Sequence, residues 1–144
     1  MSQDDYEFLK LLLRPFEGEA FDPGLVDMEQ LSRAVGHSNE DIRTASLYLM
    51  DNFVEVNWVA IAEILEKSIH SEDVLSIRTT AQFLAYCDPR WTIKFFYLQI
   101  ELRQQHTQDE ETKRLLEPIY NKWLERSMEQ GYAEMNPAFE RNTM

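Results

Sequence analysis

The stretch GLVDMEQLSRAVGHS at residues 24–38 aligns without a gap with NWVAIAEILEKSIHS at residues 57–71, a shift of 33. Val26 falls on Val59, Met28 on Ile61, Leu31 on Ile64, His37 on His70 and Ser38 on Ser71. Within each copy the apolar residues recur at spacings of three and four, the period of an amphipathic helix. The same shift carries Trp58 onto Trp91, and the His-Ser pair returns as His106-Thr107, 36 residues beyond His70. Acidic residues follow each pair: Glu40-Asp41, Glu72-Asp73 and Asp109-Glu110. Behind each cluster a second helix is predicted, over 42–53, 74–87 and 112–130. The first two share a triplet, Ile42-Arg43-Thr44 and Ile77-Arg78-Thr79.

Repetition at this period is the mark of stacked supersecondary units, each unable to bury its apolar face alone. The expected fold is therefore all-α. It is a short right-handed α-solenoid of about three antiparallel helical hairpins, at 22–53, 57–87 and 88–130, within a single domain spanning 1–144. Short linkers force consecutive helices to run antiparallel. An N-terminal helix over 3–14, striped by Tyr6, Leu9 and Leu13, is closed by Pro15 and caps the stack. No run alternates strictly enough to predict a strand. Asp22, Asn57 and Asp88 stand where the first helices should be N-capped, with Pro23 and Pro89 at the favoured next position. Ser38 with Asp41, and Thr107 with Glu110, read as capping boxes for second helices. The tail at 131–144 carries Tyr132, Met135 and Phe139 without helical order, so it either frays or folds back over the last hairpin.

The segment from Leu31 to Ala45 resembles a HEAT-type repeat of the HEAT and armadillo class. There a first helix ends in a short turn, followed by an acidic residue, a β-branched apolar residue, an Arg and a small packed residue. Asp41, Ile42, Arg43 and Ala45 match those roles, and Asp73, Ile77, Arg78 and Ala81 match them with extra residues before Ile77. Lys113-Arg114 loosely replaces the pair in the third unit. The period of 33 to 36 is shorter than the class average of about 40–47. What the resemblance implies is a scaffold that binds protein.

Composition narrows the partner. The formal net charge is −12, from 26 acidic and 14 basic residues. Phosphate backbones and anionic bilayers both select for basic surfaces, so nucleic acid and membrane are not expected partners. A basic protein is. No apolar run approaches the length of a membrane span, and the acidic start Met1-Ser2-Gln3-Asp4-Asp5 lacks the pattern of a secretory signal, so a cytoplasmic, bacterial setting is expected. Cys87 is the single cysteine and forms no internal disulfide.

No catalytic constellation is legible. His37, His70 and His106 occupy equivalent places in successive units. Neighbouring helices sit about 8–10 Å apart, too far for such residues to share one metal ion. No metal, no cofactor and no catalytic residue is expected, and each histidine fits a helix C-terminus instead. Nothing cradles a phosphate, and no nucleophile meets a base. The clustered carboxylates fit helix capping, or an acidic ridge along one edge, formed by Glu40, Asp41, Glu72, Asp73, Asp109 and Glu110. Trp58 and Trp91 fit packing pieces between units, or exposed anchors for a partner. Arg43 and Arg78 are expected to form a ladder with carboxylates of the turns. Trp123, with Leu115, Leu116, Ile119 and Tyr120, reads as the core face of the last helix. The function implied is a stoichiometric protein-binding module, for example an immunity-type inhibitor of a basic toxin. An adaptor or scaffold subunit is the alternative, and an enzyme using clustered carboxylates a lesser one.

Overall fold

The structure is a computed structural model that describes residues 2–91, 94–105 and 109–126. Helix starts follow from local side chains. Ser2 accepts the Asp5 amide at 3.1 Å and opens α1, Gln3–Leu12, with Asp4 and Asp5 complementing the helix dipole. The helix ends two residues before the expected 14. Pro15 has no amide to continue the ladder, so the chain tightens into a 3-10 turn, Arg14–Phe16. There follow α2, Met28–Val35; α3, Glu40–Phe53; α4, Trp58–Ile69; α5, Val74–Tyr86; α6, Phe96–Gln105; and α7, Glu110–Arg126. The described residues are all-helical, with no strand among them, and no helix there is long and apolar enough to cross a membrane.

The caps correct the expected helix starts. Asp22 accepts the Gly24 amide and caps a separate 3-10 turn, Pro23–Leu25. The chain then extends through Val26, and Asp27 caps α2 through the amides of Glu29 and Gln30. Asp88 behaves alike: it accepts the Arg90 amide at the 3-10 turn Pro89–Trp91, well before α6. Proline suits the first position of either helix type, so the Asp-Pro pairs mark a turn without revealing its length. Asn57 does cap α4, through the Ala60 amide at 3.1 Å. Ser38 does not cap α3; Asn39, one residue on, accepts the amides of Asp41 and Ile42 at 2.8 and 3.3 Å. Asp73 caps α5 and Asp109 caps α7, so each second helix starts on the same short acceptor chemistry. His106, Thr107 and residues 127–144 lie outside the described residues, as do the side chains of Leu116, Ile119, Tyr120 and Trp123.

Packing follows the apolar stripes. Consecutive helices pair as α2 on α3, α4 on α5 and α6 on α7. Across these pairs α3, α5 and α7 pack in sequence, as do α2, α4 and α6, and α1 lies against α3. Central to this arrangement is α5, which touches α2, α3, α4, α6 and α7. Its Ala81 is fully buried, and Ala45 is buried at the related place in α3; small side chains let neighbouring helices approach. Leu31, Ile42, Leu49, Ile61, Leu65 and Leu84 fill the interior. Gly36, closing α2, sits so near α5 that an added Cβ would overlap Ser76 Oγ and Asp73 Oδ2.

Candidate protein-binding face

Along α3, Glu40, Arg43, Thr44, Leu47, Tyr48 and Asp51 fall at helical spacing on one face. Along α5, Leu75, Arg78, Gln82 and Tyr86 do the same. The two stripes line a groove between the helices, made of hollows of about 280 and 220 Å³ that share Thr44 and Gln82. At its polar end Arg43 Nη1 donates to the carbonyls of His37 and Ser38, at 2.6 and 3.0 Å. These are backbone partners, where carboxylates were expected. They tie α3 to the turn that follows α2. Arg78 does meet a carboxylate: Nε and Nη2 donate to both oxygens of Asp109 at 2.9 and 2.8 Å. Those bonds, with the amide and hydroxyl of Thr112, hold the Asp109 carboxyl well below the usual range.

At the other end the walls are aromatic. Tyr48 is 66% exposed and Tyr86 is 75% exposed, above a floor of Leu47, Phe83 and Cys87. The Phe16 ring meets Tyr48 edge-on, with centroids 5.7 Å apart, which restrains the phenol. Asp51 stands on this rim. Burial, then the charges of Asp88 and Glu55, raises its carboxyl above the ordinary value. Burial also pushes the Cys87 thiol up to about 12, with Asp51 and Asp88 adding to the effect. Arg90 pairs with both Glu55 and Asp88.

The residues expected to form an acidic ridge divide by role. Glu40 and Asp41 are exposed in the first turn of α3, and Glu40 also lines the groove. Glu72 is exposed before α5, while Asp73 is engaged as its cap and accepts the Ser76 hydroxyl at 2.8 Å. Glu110 is exposed, but Asp109 is spent on α7 and Arg78. Trp58 and Trp91 are both half-buried and brought together through Lys94, whose ammonium lies 4.5 Å from one ring centroid and 5.5 Å from the other. His37 accepts the Asn39 amide at Nδ1, lies beside Asp5 at 3.5 Å and stacks on Phe8. His70 ends α4 and meets Glu101 at 2.9 Å. Among the described residues no three His, Cys, Asp or Glu side chains come together as a metal site.

Tyr48, Tyr86 and Asp51 were not singled out by sequence. Their one signal is that two tyrosines project from the polar sides of amphipathic helices; the expected stacking makes α3 and α5 neighbours without showing which of their side chains share a groove. No protein-family model, curated protein or solved structure matches the chain.

Proposed function

We propose that this chain is a stoichiometric protein-binding module that receives a basic partner on the face shared by α3 and α5. The groove with exposed Tyr48 and Tyr86 at its rim carries this reading. Large aromatic side chains left in solvent beside an apolar floor are the usual anchors of protein interfaces. Exposed Glu40, Asp41, Glu72 and Glu110 at the helix starts favour and steer a positively charged partner. Pairwise packing of α2 on α3, α4 on α5 and α6 on α7 supports a short right-handed α-solenoid of antiparallel hairpins, in which second helices line the binding surface. This is the arrangement that the HEAT resemblance implies. Inhibition of a basic toxin, as by an immunity protein in a bacterial cytoplasm, is the specific form proposed. The hollows are open grooves between two helices, a shape suited to a polypeptide more than to the enclosed chemistry of an enzyme.

The test is affinity purification from the native host using the wild-type chain and the Tyr48→Ala/Tyr86→Ala double variant in parallel. A basic protein retained by the first and lost from the second supports the assignment, provided circular dichroism shows both baits folded. Equal retention overturns the face. Sedimentation of the purified complex then separates the forms: one-to-one and tight for an inhibitor, multi-subunit for an adaptor.

A further inference from the structure

We propose that the tyrosine end of the α3–α5 groove is a subsite for one lysine or arginine side chain of the bound protein, clasped between Tyr48, Tyr86 and the Asp51 carboxylate. This rests on the protein-binding reading above and adds the chemistry that the face selects.

Three independent features point to a cation. The first is shape and surface: a hollow of about 220 Å³ has an apolar floor, Leu47 and Phe83, for the methylene stem of a long side chain. The second is the walls. Phenol faces carry negative quadrupole charge, and Tyr48 and Tyr86 are both largely exposed where they line the hollow. The third is the rim charge. Arg90 is drawn to Glu55 and Asp88, and among the described residues no Lys or Arg pairs with Asp51. One carboxylate is thus uncompensated where like charges and partial burial penalise it, and an incoming cation relieves that penalty. The chain builds the same kind of arrangement internally, where Lys94 lies over Trp58 and Trp91. An anion would meet the uncompensated Asp51 carboxylate, since Arg90 is engaged by Glu55 and Asp88.

The experiment uses n-butylguanidinium chloride as the probe and n-pentanol as its uncharged match. Each is titrated into the full isotope-labelled chain while amide resonances are followed by NMR. Saturable shifts with butylguanidinium at millimolar concentration are expected, centred on residues 44–51 and 82–87, with pentanol weaker and the affinity of Asp51→Asn lowered about fivefold or more. Equal binding of the two probes, or butylguanidinium shifts indifferent to Asp51→Asn, overturns the subsite. So does the absence of saturation. The captured partner supplies the second arm. Asp51→Asn should weaken it about tenfold, as expected for loss of a partly buried charge pair. If Tyr48→Ala/Tyr86→Ala abolishes partner binding while Asp51→Asn leaves it intact, the face stands and the cation subsite falls. If neither variant changes it, the protein-binding face itself falls.

Discussion

Arg78 on α5 grips Asp109, the residue that caps α7, through two parallel hydrogen bonds of 2.9 and 2.8 Å. One carboxylate therefore starts α7 and ties it to α5. Such forked geometry fixes orientation as well as energy.

This relationship predicts a stability change with a defined pH window. Asp109 is held well below the usual carboxylate range, chiefly by Arg78 and then by Thr112. A depressed native pKa stabilises the fold above the unfolded value of about 3.9, and that contribution fades as pH falls toward the native one. Asp109→Ala should cost about 1–2 kcal/mol at pH 7, mostly as a lost cap. Asp109→Asn keeps a capping oxygen and loses the charge, so its deficit should be present at pH 7 and shrink below about pH 4. Urea unfolding at pH 7 and pH 3 measures both. A deficit unchanged by pH overturns the assignment to the ion pair.

Gly36 supplies a steric test of how α2 meets α5. An added Cβ overlaps Ser76 Oγ and the Asp73 carboxylate that caps α5. The backbone there is ordinary, with φ of −109°, so any cost of Gly36→Ala is crowding and not conformational strain. The expected loss is about 1–2 kcal/mol, as for other overpacked contacts. Ser76→Ala removes the nearer obstacle and should recover part of it in the double variant. Strict additivity of the two substitutions in thermal unfolding refutes the contact.

The helices were legible because their signals are local: an Asx or Ser side chain at the starts of α1 to α5 and α7, apolar residues at three and four, and Pro15 at the first stop. Asn39 and Asp109 show where local reading slips, since a capping oxygen can sit one or two residues from the expected one when several acceptors adjoin. Asp22 and Asp88 slipped further, because Asp-Pro opens a 3-10 turn as readily as a helix. The groove was not legible at all. Tyr48 and Asp51 on α3 meet Phe83 and Tyr86 on α5, and Cys87 just beyond it, only through packing of distant segments. The same holds for Arg43, whose partners are carbonyls that offer no side-chain pattern to read.

Cys87 is predicted to be inert despite lining the groove. Burial first, and then Asp51 and Asp88, pushes its thiol up to about 12. At pH 8 the thiolate fraction then falls roughly a thousandfold below that of a free cysteine near pKa 8.5. Alkylation by iodoacetamide at pH 8 should be slow in the native chain and fast in concentrated urea. Asp51→Asn should speed the native reaction by removing the charge that raises the thiol most. Native and unfolded rates within tenfold of each other contradict the environment described.

Asp51 offers the sharpest contrast between stability and binding. Its carboxyl is raised above the ordinary value by burial, then by Asp88 and Glu55. A native carboxyl with a raised pKa holds its proton more tightly than the unfolded chain does. Ionisation therefore costs stability above the unfolded pKa of about 3.9, and the cost disappears as pH falls through it. Asp51→Asn should thus stabilise the fold at pH 7, with the gain vanishing by about pH 3. The side chain is largely exposed, so screening limits the gain to a few tenths of a kcal/mol. Calorimetric midpoints of wild type and variant across pH 3 to 7 measure it. A residue that weakens the fold while strengthening the hold on a cation is what a binding site trades for function. A variant less stable than wild type at pH 7 makes Asp51 a structural residue instead.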